Sequence, residues 1–167
     1  MMSARPVEVV PPTDTGNPWP GLAAFTEAAK DSFNGRDAEA EELLRRVTTA
    51  ALTVLFGKSG LGKTSLLQAG LFPQLRRRNI LPVYVRLQVR ADAPPLMEQV
   101  RTALATEITT HKIDAPPFAE HESLWEYLHR RELELWSTTN YLLTPLFILD
   151  QFEEVFTLGE QVPQAIA

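Results

Sequence analysis

Gly57, Lys58, Ser59, Gly60, Leu61, Gly62, Lys63 and Thr64 follow the spacing G-x-x-x-x-G-K-[ST], whose chemistry is the grip of a phosphate chain. Successive N–H groups of a glycine-rich loop curl around an anion, and the positive end of the following helix dipole points at the same place. Gly57, Gly60 and Gly62 supply conformations and clearance that a Cβ would block. Lys63 brings a full positive charge to the β- and γ-phosphates of such a chain, and Thr64 offers a hydroxyl to Mg2+. Ser65 continues this cofactor-binding set on the first turn of the helix. A Gly-rich strand-to-helix turn with a chance lysine would look similar, so the flanks must decide.

A second stretch could do complementary chemistry. Residues 145–150 (PLFILD) place four apolar residues before Asp150. That pattern describes a buried parallel strand with a carboxylate at its C-terminal edge, where open α/β sheets place ligands. Asp150 can hold Mg2+ and its water shell opposite Thr64. If the chain turns helical after Asp150, positions i+3 and i+4 return to its face and bring Glu153 or Glu154 to the γ-phosphate as a water-orienting base. Two glutamates opening a helix also suit its N-terminal dipole, and both readings stay open. The predicted catalytic set is Lys63, Asp150, Glu153 and Glu154, and the predicted metal ligands are Thr64 and Asp150.

The elements that must position these groups are legible around them. Residues 51–56 (ALTVLF) form a short apolar run rich in strand formers, and residues 64–69 (TSLLQA) are helix formers with no Gly or Pro. Upstream, residues 25–33 read as a short helix ended by the turn Asn34-Gly35. Ala40, Leu43, Leu44 and Val47 then fall at i, i+3, i+4 and i+7 of a second helix, with acidic residues in its first turn. Downstream, Pro73 interrupts the helical run and pushes Phe72 from the α region. Residues 81–89 alternate, with Val83, Val85, Leu87 and Val89 on one face and Tyr84, Arg86 and Gln88 on the other, as an edge or half-exposed strand does. Leu96, Val100, Leu104 and Ile108 mark a helix opened by Pro94-Pro95. Ser123 and Glu126 have capping-box spacing, which predicts a helix running through Trp136 with Leu124, Tyr127, Leu128 and Leu135 inward.

Composition narrows the class. The 167 residues are one domain's worth, and 44% apolar with 22% charged is the balance of a soluble globular protein. No apolar run approaches the roughly 20 residues of a membrane-spanning helix, and no signal peptide is visible at the N-terminus. The absence of cysteine excludes disulfides and Cys-based metal sites and fits a reducing cytoplasm. A formal net charge of −5 argues against a general nucleic-acid binder. Arg76-Arg77-Arg78, the one basic cluster, reads as cations at a helix C-terminus. His111, His121 and His129 lack the spacing of a zinc helix and read as solvated. Five prolines without periodicity in residues 1–20 make 1–17 a flexible arm, after which Trp19 is expected to dock, either on the core beside the nucleotide or over another apolar patch. The expected organisation is that arm, a helical segment at 18–50, a core at 51–158 and a tail at 159–167.

With both candidate sites placed, five separated segments gain meaning together: PWPGL at 18–22, FTE at 25–27, FNGRDAE at 33–39, the loop and helix at 57–67, and LDQFEE at 149–154. In that order they resemble the novel STAND NTPases, bacterial relatives of the AP-ATPase and AAA+ groups, over about residues 17–158. The resemblance implies a P-loop NTPase fold, three-layer α/β/α with a parallel sheet, that uses ATP and Mg2+ as a slow signalling switch. It places Gly35 and Arg36 beside the adenine and ribose, with Asp37 standing where the family pattern has Glu. Gln151 replaces the second of two adjacent acids, which implies slow hydrolysis.

The family's strand order, 5-1-4-3-2, also sets a problem. The strand that should separate residues 51–56 from the Asp150 strand comes later in sequence, and only a short tail follows residue 158. The expectation is therefore an incomplete or rearranged sheet, with the Asp150 strand paired to residues 83–89. The central slot beside residues 52–56 would stay empty, leaving an edge prone to association. The implied partners are the nucleotide, and further copies or partner chains or domains that supply effector and sensor functions. A small P-loop kinase is the competing enzyme reading, although such kinases usually open directly with the loop. A non-hydrolysing scaffold or assembly module is the third. No N-K-x-D segment supports a GTPase.

Overall fold

The computed structural model describes residues 23–90 and 92–157. The predicted arm, the docking of Trp19 and the tail lie outside the described residues. The chain divides into two compact units, one ending at Leu75 and the other beginning at Arg76.

The first unit is helical. A 3-10 helix, Glu27–Ser32, replaces the longer predicted helix, and Gly35 turns the chain with φ 85° into α1, Asp37–Thr49. Ala40, Leu43 and Leu44 are buried, as their spacing required. After the glycine loop the chain runs through α2, Lys63–Ser65, a π-helical stretch, Leu66–Leu71, and α3, Phe72–Arg76. Phe72 is helical (φ −57°, ψ −45°), contrary to the expectation that Pro73 expels it from the α region. The register widens instead: the Phe72 N–H donates to the Leu67 carbonyl, five residues back, so the bond that Pro73 cannot make falls at the seam. Gly70 makes the close approach possible, because a Cβ there would sit 3.2 Å from both Ala40 Cβ and Phe33 Cε1. Leu66, Leu67, Ala69, Leu71 and Leu75 are buried.

Residues 51–56 are the main departure in this unit. They take no strand partner among the described residues, and Leu52, Val54 and Phe56 are 80%, 73% and 87% exposed. A run of strand formers becomes a strand only where a neighbour supplies the ladder, and among the described residues 51–56 have none, in keeping with the expected empty slot.

The second unit is built on β1, Ile80–Arg86, and β2, Thr144–Asp150, paired in parallel with Val83 opposite Phe147 and Arg86 opposite Asp150. The predicted alternation is observed: Leu81, Val83, Val85, Leu87 and Val89 are buried, whereas Tyr84 is half-buried and Arg86 and Gln88 are exposed. The helix α4, Leu96–Thr110, packs on β1 through Val100 and Leu104. Ile113, Leu124, Tyr127 and Leu135 complete this core, with the Tyr127 hydroxyl donating to the Pro116 carbonyl at 2.8 Å.

Two expectations fail here. The strand β2 is half-buried rather than buried, since among the described residues it has one partner strand. The capped helix α5 covers only Leu124–Leu128 and does not reach Trp136. Its start is as predicted, with Ser123 Oγ accepting from the Glu126 N–H and Glu126 reciprocating. Those bonds, the Ser123 N–H first and its hydroxyl second, hold the Glu126 carboxyl below its ordinary range. The end is set by tertiary contacts. Arg130 turns back to grip Glu122 with Nε and Nη2, each at 2.6 Å, and Trp136 forms bridges with Asp114 and Leu142. A short helix, α6, Glu153–Thr157, follows β2.

The fold is thus α/β with a parallel pair of strands, consistent with part of a P-loop sheet. No helix among the described residues is long and apolar enough to cross a membrane.

Candidate functional site

The predicted site residues fall in two sets. Gly35, Arg36 and residues 57–65 belong to the first unit, and Asp150, Glu153 and Glu154 to the second.

In the first set, the turn of the loop is made by left-handed glycines, Gly60 at φ 81° and Gly62 at φ 70°. A side chain at either position would force an L-residue into a costly conformation. Gly62 then passes the chain into α2. Lys63 folds back across the loop: its Nζ donates to the Gly57 carbonyl at 2.7 Å and to the Lys58 carbonyl at 3.2 Å. The lysine thereby ties the end of the loop to its beginning. Arg36 reaches the loop from the N-cap of α1 and donates from Nη1 to the Leu61 carbonyl at 2.8 Å, while its Nε pairs with Glu39 at 3.3 Å. Lys58, Ser59, Gly60 and Leu61 are exposed, and Lys63 and Thr64 are half-buried. Ser65 is buried, and its Oγ accepts from the Phe25 N–H at 3.1 Å. That hydroxyl fastens the loop's helix to the segment before the 3-10 helix.

In the second set, Asp150 ends β2 with both oxygens engaged. The Tyr84 hydroxyl donates to Oδ2 at 2.6 Å and the Gln151 N–H donates to Oδ1 at 3.0 Å. Arg86 Nε donates to Gln151 Oε1 at 3.0 Å, and Gln151 itself is left-handed with φ 60°. Glu153 is exposed and Glu154 half-buried on the first turn of α6, where the Glu154 N–H donates to the Gln151 carbonyl at 2.9 Å.

Tyr84 and Arg86 were not singled out from the sequence as site residues, and Gln151 was singled out only as the replacement of an acid, not as a partner of Arg86. Their signal was present in the alternation that set Tyr84 and Arg86 on the face opposite the core. In a parallel pair with Arg86 opposite Asp150, Tyr84 lies on the same face two residues back, within diagonal reach of the carboxylate.

The donor sets fit the implied ligands. Two cations and a glycine turn suit a polyphosphate, with the lysine's ammonium already held within the loop. Among the described residues no cluster of three or more His, Cys, Asp or Glu side chains could hold a metal. Mg2+ needs no such cluster, because it keeps several waters and takes one or two carboxylates with substrate phosphates, which suits a single carboxylate such as Asp150.

A glycine loop entering a helix, with a parallel strand ending in an aspartate, defines the P-loop class of nucleotide-using α/β proteins. The model of the Novel STAND NTPase 1 family matches residues 18–166, most of the chain, and the protein belongs to that family. No curated protein and no solved structure matches the chain.

Proposed function

We propose that the protein binds ATP or ADP with Mg2+ and acts as a nucleotide-dependent switch of slow turnover. The observation that carries this reading is the glycine loop whose Lys63 is held across it at the Gly57 and Lys58 carbonyls. A polyphosphate would draw Lys63 away from those neutral acceptors, since charge-assisted bonds to phosphate are the stronger ones. Loop amides would cradle the β-phosphate, and Thr64 and Asp150 would hold Mg2+. When bound, Mg2+ neutralises charge on the phosphate oxygens. Glu153 or Glu154 would orient the attacking water. Slow turnover is supported by Gln151, an amide engaged by Arg86 at the position of a second acid. Effector and sensor functions would come from further domains or partner chains, and the absence of cysteine suits a cytoplasmic setting.

Calorimetric titration with ATP·Mg2+ tests the reading. Lys63→Ala removes a charged hydrogen-bond donor to phosphate, worth about 3 kcal/mol at most, so affinity should fall about a hundredfold. Wild-type and variant isotherms that coincide would overturn the nucleotide assignment.

A further inference from the structure

We infer that Arg36 serves the site as a latch on the phosphate loop rather than as a contact to the nucleotide's base or sugar. The inference rests on the phosphate-binding reading of that loop. The guanidinium is used at two points: Nη1 on the Leu61 carbonyl at 2.8 Å, and Nε on Glu39 Oε1 at 3.3 Å. One donor fixes the loop and the other fixes the arginine to α1. The approach is close enough that a Cβ on Gly62 would lie 3.4 Å from Nη1.

The location of the contact gives it leverage. Leu61 lies between the two left-handed glycines, Gly60 and Gly62, whose backbone is the freest part of the loop. Lys63 restrains the loop's beginning through Gly57 and Lys58, and Arg36 restrains its second half. Orienting the Leu61 carbonyl also orients the peptide N–H of Gly62, because the two share one planar unit. A latch on that carbonyl therefore aims a loop amide, which is the group that meets phosphate. The planar fork of arginine supports both bonds at once; a lysine, with a single nitrogen, would give up one of them or strain both.

Hydrogen exchange and ligand titration on the intact chain separate this role from its competitors. In the ligand-free protein, Arg36→Ala should speed amide exchange in residues 57–64 about tenfold, while exchange in α4 stays at the wild-type rate. Arg36→Lys should recover only part of the protection, and Glu39→Gln should lose a smaller part. Inorganic tripolyphosphate, which has neither base nor ribose, should bind Arg36→Ala about tenfold more weakly, and ATP should lose the same factor. Loop exchange that does not change in Arg36→Ala overturns the latch. So does an ATP defect with unaltered tripolyphosphate binding, which assigns Arg36 to the base or ribose. Full recovery of both readouts in Arg36→Lys also overturns it, in favour of bulk charge. If the wild-type protein binds neither ligand, the nucleotide reading fails, and the exchange data still decide whether Arg36 holds the loop.

Discussion

At the phosphate loop the acceptors are main-chain carbonyls and the turn is made by glycines; at the end of β2 the holding is done between side chains. Lys63 and Arg36 grip Gly57, Lys58 and Leu61 through backbone oxygens, so almost any residue could occupy Lys58 or Leu61. Asp150, by contrast, is gripped by the Tyr84 hydroxyl across a strand pair, and Gln151 by the Arg86 guanidinium. A backbone-built site depends on conformation and is recorded as a pattern of glycine spacing. A site built from side chains on two strands depends on register, which sequence spacing does not record.

The contrast is sharpest for Asp150→Ala. Loss of this carboxylate should abolish most of the gain in ATP affinity that Mg2+ provides, about tenfold, while ATP binding measured in excess chelator stays at the wild-type value. Lys63→Ala should lower binding with and without the metal. If Asp150→Ala weakens metal-free binding as much as metal-assisted binding, the two regions do not divide the work as proposed.

Tyr84→Phe tests the same division at lower amplitude. Removing one hydroxyl donor, worth about 1 kcal/mol, should raise the Mg2+ concentration needed for half-maximal ATP binding a few-fold and leave metal-free affinity alone. The phenyl ring still packs, so the thermal midpoint should change little. An Mg2+ requirement equal to wild type would reduce Tyr84 to a packing residue.

The division also explains how much was legible. The glycine loop, the start of α5 and the buried stripe of α1 were readable because each is decided within a few residues: a turn, a capping box, a helical period. Residues 51–56 were legible only in part: the empty slot beside them was expected from the implied strand order, but that strand formers without a partner form no strand at all depends on a neighbour remote in sequence. The end of α5 was missed for a related reason, since Arg130 leaves the helix to reach Glu122 and Pro117. At Pro73 the local rule was sound, but a π-helical register upstream absorbed the missing donor. Tyr84 could be assigned to a face from its alternation, and the pairing of its strand with the Asp150 strand was expected, yet its partner waited on the register, which runs over residues 80–86 rather than 83–89.

The smallest effect is expected at Gln151→Gly, where two terms oppose each other. Gln151 has φ 60°, a conformation that costs a residue with a side chain about 1 kcal/mol and a glycine almost nothing. Its amide repays that cost by accepting from Arg86 Nε, a bond worth about 1 kcal/mol, and glycine also adds freedom to the unfolded chain. The substitution should therefore move the denaturant midpoint by less than the equivalent of about 1 kcal/mol. A distinct gain in stability would mean that Arg86 contributes nothing to holding Gln151, and that the left-handed turn after Asp150 is strain retained for the site. A loss of several kcal/mol would mean the opposite: side chains fix the end of β2 so firmly that its backbone conformation is a consequence of them, the reverse of the order that holds in the glycine loop.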